Sequence, residues 1–153
     1  MIITFVGHSS LANTDLLAEN VRGTIEKNIE HEENVSFYCG GYGDFDNVCA
    51  KVCAELKSEI RKCEVVLVTP YITESFQGKL QMYKESNLYD SIVYPPIENT
   101  PLKYAISVRN NWMIDKADII IAYVKYTFGG AYKSLGYARR KKKKIINLAE
   151  LEL

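Results

Sequence analysis

The sequence predicts an α/β protein, a three-layer α/β/α sandwich around a mostly parallel sheet. Three observations carry that expectation. Short, almost wholly apolar runs alternate with amphipathic stretches of helical period. The junctions between them are brief and rich in glycine. A chain of 153 residues is also the size of one domain, spanning residues 1–153, with enough side chains to bury a core.

The first run, Ile2 to Val6, ends at Gly7-His8-Ser9-Ser10, the pattern of a buried strand and its loop. A helix is expected from about Asn13 to Glu30, because Leu17, Val21, Ile25 and Ile29 recur every four residues. Val35 to Cys39 reads as the second strand, and Gly40-Gly41-Tyr42-Gly43 breaks it. Asp44 is a good N-cap for a helix through Lys62, whose apolar stripe is Phe45, Val48, Val52, Leu56 and Ile60.

Val65 to Val68 is the third strand, closed by Thr69-Pro70-Tyr71. Thr73 to Asn87 reads as a polar, partly helical excursion, and Ser91 to Tyr94 as a fourth strand. The proline-rich segment Tyr94 to Pro101 is expected to be a covering loop. A helix over Leu102 to Lys116 leads into the strand Asp118 to Val124. A Thr127-Phe128-Gly129-Gly130 turn and another helix follow, and Lys144 to Leu148 is the last strand.

Nineteen basic and nineteen acidic side chains cancel, so the overall balance gives no hint of a nucleic-acid or membrane partner, and neither is expected. No run approaches the ~20 apolar residues of a membrane span, and the N-terminal run is too short for a signal peptide. Cys39, Cys49, Cys53 and Cys63 lack the C-x-x-C spacing of zinc or redox sites. Cys49 and Cys53 share a helix face, but it is the apolar one, so they read as small hydrophobes and no metal is expected. Reduced thiols fit a cytoplasmic location.

Three loops follow strands and are expected to converge on one edge of the sheet: Gly7-His8-Ser9, Gly40 to Asp46, and Thr127 to Ala131. Glycine lets the backbone turn sharply and aim N–H groups at an anion, and a helix N-terminus adds favourable partial charge. The same glycines also serve as plain tight turns. Arg109, on the helix before the last loop, has the geometry to clamp a phosphate or carboxylate; pairing with Asp115 or Glu98 is the alternative. Met113 lies one turn further on the same face, and Asn110 is placed to hold either a ligand or a loop backbone.

Tyr42, Tyr71 and Tyr94 adjoin strand ends, where a ring either stacks on a base or covers apolar surface. His8 is a phosphate donor, a proton shuttle or a hydrogen-bonded loop residue. Asp46 suits ribose hydroxyls or acid–base work, and equally an ordinary first-turn acid. Ser9 and Thr69 are further candidates for ribose contact. The run Arg139 to Lys144 is read as a solvated helix end that offsets the dipole.

The order Gly-Gly-Tyr-Gly-Asp-Phe-Asp, helix, Arg109-Asn110, Met113, Ala117-Asp118, strand, Gly129-Gly130, Ala138 resembles the SLOG superfamily of Rossmann-like domains. That superfamily includes YpsA-like, DprA-like and Lonely Guy (LOG) proteins. The resemblance covers nearly the whole chain and is closest to the YpsA-like branch. There a Gly-Phe-Asp turn (here Asp44-Phe45-Asp46, with Gly43 displaced by one place) accompanies an Arg-Asn helix. It implies binding of nucleotides or nucleotide-derived signals across the strand C-termini, no obligatory cofactor, and a homo-oligomer.

LOG enzymes hydrolyse the N-glycosidic bond of nucleoside monophosphates through an arginine and a P-G-G-x-G-T-x-x-E loop. Arg109 and Gly129-Gly130 match. Phe128 stands for the proline, Tyr132 for the third glycine, Lys133 for the threonine and Gly136 for the glutamate. Without that carboxylate, LOG-type hydrolysis is not expected. The sequence therefore predicts a binder of a nucleotide-type ligand such as an NAD-related compound, an ADP-ribose derivative or a nucleoside phosphate. One rival is an N-glycosidase or deoxyribosyltransferase using Asp46 or Glu98 with Arg109. The other is a DprA-like module on DNA.

Overall fold

A computed structural model describes residues 1–59, 62–72 and 74–152. The elements in chain order are β1 (Ile2–Gly7), α1 (Asp15–Ile29), β2 (Val35–Cys39), α2 (Asp44–Glu59), β3 (Cys63–Val68), α3 (Glu74–Glu85), β4 (Ser91–Val93), α4 (Ala105–Lys116), β5 (Ile119–Tyr123), α5 (Gly130–Arg140) and β6 (Lys144–Asn147). Short 3-10 turns precede α4 and follow β6, at Leu102–Tyr104 and Leu148–Glu152.

The described strands form one sheet in the order β4-β3-β2-β1-β5-β6, and each neighbouring pair is parallel. The fold is a Rossmann-like α/β sandwich.

Alternation along the strands sends side chains to opposite layers. Ile3 and Phe5 of β1, Phe37 of β2 and Ile121 of β5 meet the buried stripes of α1 (Leu17, Val21, Ile25, Ile29) and α2. Burial of each such aliphatic side chain is worth about 1.5–3 kcal/mol. Val6, Ile120 and Ala122 face the other way and pack on Ile114 of α4 and Leu135 and Ala138 of α5. Val66, Val68 and Met113 make a third cluster beneath α4, where Trp112 stacks on Tyr38 at 5.9 Å between centroids.

Three of the four cysteines sit deep within these layers. Cys39, Cys49 and Cys53 are buried in the α1–α2 cluster, and burial pushes the Cys49 and Cys53 thiols well up. Ile60, the last residue of the expected α2 stripe, lies outside the described residues, as does Thr73.

The chain lays β2, β3 and β4 on one side of β1, then returns to place β5 and β6 on the other. The switch falls between β1 and β5, and ligands bind beyond the strand C-termini at such a point.

Candidate functional site

A cavity of about 400 Å³ opens at that switch point. Its floor is the end of β1 with Gly7, His8 and Ser9, and its walls come from α4, the loop ahead of α5 and the start of α2.

The β1 loop is held against α2 by a set of backbone contacts. Asp44 N–H donates to the Ser9 carbonyl at 2.9 Å, and Leu11 N–H donates to the Asp44 carboxylate at 2.8 Å. Asp44 is thus the first residue of α2 and a latch on the neighbouring loop. Gly43 (φ +94°) passes so close that an added Cβ would stand 2.7 Å from Ser9 Cα. At Gly7 the Phe45 ring occupies the position of a Cβ, 2.2 Å away. Only glycine admits both approaches.

At the opposite wall α5 begins without a cap. Its N-cap, Gly129 (φ +93°), supplies no side chain, and the first turn carries no acidic residue. The Lys133 N–H reaches back to the Gly129 carbonyl, which leaves the earlier N–H groups of the helix without helical partners. Gly129, Gly130 and Ala131 all line the cavity, joined by the buried Ser134 one turn later. A helix start left open in this way favours negative charge, by about 0.3–1 kcal/mol per contact.

Arg109 and Met113 reach the cavity from α4, both almost fully buried. Among the described residues Arg109 is the largest side chain to be enclosed to this degree, at 2% exposure. Its Nη1 donates to the carbonyls of Gly40 (2.8 Å) and Val68 (2.7 Å), and its Nε donates to Asn110 Oδ1 (2.8 Å). Burial lowers the Arg109 pKa, and the Asp46 carboxyl opposes that shift. Both pairings foreseen from sequence are replaced: Asp115 binds the Tyr137 hydroxyl, and Glu98 sits exposed on the loop before α4. Arg109 is a latch across the ends of β2 and β3.

Asp46 also lines the cavity. Its Oδ2 accepts the Tyr42 N–H at 3.0 Å. Burial pushes the carboxyl up to about 6, against the pull of that hydrogen bond and of Arg109. His8 has its Nε2 occupied as an acceptor for the N–H groups of Lys125 (2.9 Å) and Tyr126 (3.3 Å). The ring is therefore neutral with its proton on Nδ1, and burial lowers its pKa.

Other candidates fall elsewhere. Gly40, Gly41, Thr69 and Tyr71 line a second cavity of about 250 Å³ beside the first, while Tyr42 borders both. Gly43 shapes the turn without lining either. Glu98 lines neither cavity. Tyr94 belongs to a groove beside β4.

Sequence reasoning did not single out Ser10, Ile106, Tyr126 and Ser134, which also line the first cavity, as does Phe128 of the candidate loop Thr127 to Ala131. Ile106 and Ser134 stand one turn from Arg109 and Gly130, a helical spacing that was available to find them. Tyr126 and Phe128 form a stacked pair at the rim, 5.6 Å between centroids and more than half exposed.

The basic run lies at the other end of α5, away from this rim. Lys143 Nζ donates to the Asp115 and Ala117 carbonyls at the end of α4, and Lys144 Nζ donates to Asn28.

No family model and no curated protein matches the chain. Solved structures do. DNA processing protein A from Helicobacter pylori, described for its single-stranded DNA binding mode, superposes with a TM-score of 0.63 at 14% identity. The match covers 95% of this chain and 63% of that one. DNA processing protein A from Streptococcus pneumoniae gives 0.63 at 16%, over 94% and 48%. A structural-genomics target, TM1055, gives 0.55 at 12%, over 94% and 71%. The chain spans less than two thirds of either DNA processing protein A chain. At these identities the likeness is one of fold. Among the described residues no helix is long and apolar enough to cross a membrane.

Proposed function

We propose that this chain is a SLOG-type domain that binds a nucleotide or nucleotide-derived small molecule at the β1–β5 switch point. The observation that carries the reading is the uncapped, acid-free N-terminus of α5 opening into a cavity of about 400 Å³. Phosphate sits on the N–H groups of Gly130 and Ala131, within reach of the Ser134 hydroxyl. Asp46 and Ser9, further along the floor, meet ribose hydroxyls. Arg109 contributes positive potential while its Nη1 and Nε remain tied to the protein.

Isothermal titration with AMP, ADP and ADP-ribose tests this, with saturable binding expected. No heat at millimolar ligand, with the protein folded by circular dichroism, contradicts it.

A second reading draws on the fold likeness to a protein described for binding single-stranded DNA. The first cavity and its exposed aromatic rim, Tyr126 and Phe128, would then receive a strand terminus. Salt-dependent retardation of a labelled single strand supports this reading, and absent or salt-insensitive retardation removes it.

The glycosidic-bond alternative narrows to Asp46, whose raised pKa suits a general acid. Free base released from a nucleoside monophosphate, and lost in Asp46→Asn, is its signature.

A further inference from the structure

The second cavity shares Tyr42, Ile106 and Arg109 with the first, so the two are compartments on either side of one wall. Their characters differ. The first is built from backbone N–H groups, hydroxyls and a carboxyl. The second is an aromatic box made by Tyr71, Phe76 and Tyr83, with Leu67 below.

The box is well fixed. Tyr71 and Phe76 meet edge to face at 5.3 Å, an attractive arrangement for aromatic rings. The Tyr83 hydroxyl donates to the Gly41 carbonyl at 2.8 Å and anchors α3 over the end of β2. Lys79 Nζ lies over the Phe76 and Tyr83 rings, 5.5 and 5.9 Å from their centroids, and closes the rim with a cation. The first mouth of the site thus offers polar groups, and the second an aromatic lining.

The span between them sets the ligand's length. The α5 N-terminus follows β5, while the aromatic box stands beyond β2 and β3. Two to three strand spacings separate them, about 10–14 Å. That is further than one nucleotide's phosphate stands from its own base, and within the reach of two rings joined through a pyrophosphate.

Resting on the nucleotide-binding reading above, we infer that the Tyr71–Phe76–Tyr83 box is a second subsite for a planar aromatic ring covalently continuous with the phosphate-bearing unit. The preferred ligand is dinucleotide-like, and its linking pyrophosphate runs from the start of α5 towards the wall at Arg109.

Titration calorimetry with ADP-ribose (one ring) and diadenosine diphosphate (two rings) tests this. The two-ring probe is expected to bind at least tenfold tighter. Phe76→Leu, on the partly exposed face of α3, is expected to erase that excess and leave ADP-ribose affinity unchanged. In wild-type protein, saturation-transfer NMR with nicotinamide adenine dinucleotide, whose two rings give separate signals, should mark the protons of both rings, which checks the subsite without any variant. Equal affinity for the one-ring and two-ring probes, saturation of one ring only, or an excess untouched by Phe76→Leu overturns the second subsite alone. Failure of both probes to bind overturns it together with the first.

Discussion

Arg109 Nη1 holds the Gly40 carbonyl at 2.8 Å, joining the middle of α4 to the end of β2 across 69 residues of sequence. The same nitrogen holds Val68, so one guanidinium ties two strand ends to the helix that walls the site. Removing it leaves two buried carbonyls without their donor and Asp46 without its nearby positive charge.

Arg109→Met is therefore expected to cost about 2–4 kcal/mol of stability, the scale for a broken buried charged network. Urea denaturation should show a lower midpoint with an unchanged slope. Arg109→Lys keeps the charge but loses the planar fork, and should fall between Met and wild type. Loss of ligand binding in either variant is interpretable only below its unfolding transition.

Asp46 gives stability an unusual pH dependence. Its folded pKa of about 6 lies above the ordinary aspartate value of 3.8, so the folded state holds the proton more firmly. That contribution is full below 3.8 and is lost as pH rises through about 6. The difference corresponds to about 3 kcal/mol. Asp46→Asn should be more stable than wild type at pH 7.5, with the gap closing near pH 4. A constant gap across that range contradicts the assignment.

His8 acts in the opposite sense. Its pKa is lowered from 6.5, so its contribution is complete above 6.5 and declines as pH falls below it. Protonating Nε2 breaks its bonds to the Lys125 and Tyr126 N–H groups. Hydrogen exchange at those two amides, corrected for intrinsic rate, should quicken at pH 5 relative to pH 7.5. In His8→Phe both should exchange quickly at either pH.

Glycine substitutions separate site geometry from helix propensity. Gly43→Ala combines a left-handed φ with a 2.7 Å approach to Ser9 Cα and should destabilise by about 2–4 kcal/mol. Gly23, exposed in α1 with nothing within 4 Å of an added Cβ, should gain about 0.5–1 kcal/mol as alanine. Thermal melts of the two variants should move in opposite directions.

The layers were legible because the short apolar strand runs and the stripe Leu17, Val21, Ile25, Ile29 are local signals that tertiary packing did not override. β2 runs from Val35 to Cys39, the bounds read from the sequence, and helix ends shift by only a few residues. α3 is a regular helix over Glu74–Glu85, where composition suggested a partial one.

The site was legible only in outline. Glycines flag sharp turns but not which turns share a wall, so Gly40 and Gly129 were grouped although they line different cavities. The depth of Arg109 was readable in principle, since it stands four residues before the buried Met113. A lone arginine nonetheless suggests surface chemistry, because charged side chains are so seldom enclosed.

The central claim is that a negatively charged ligand rests on the start of α5. Chemical-shift mapping of isotope-labelled protein against ADP-ribose tests it most directly. The account predicts the largest amide shifts at Gly129 to Tyr132, with saturation at a common affinity. Shifts confined to the basic run Arg139 to Lys144, or absent from the α5 N-terminus at saturating ligand, would contradict it.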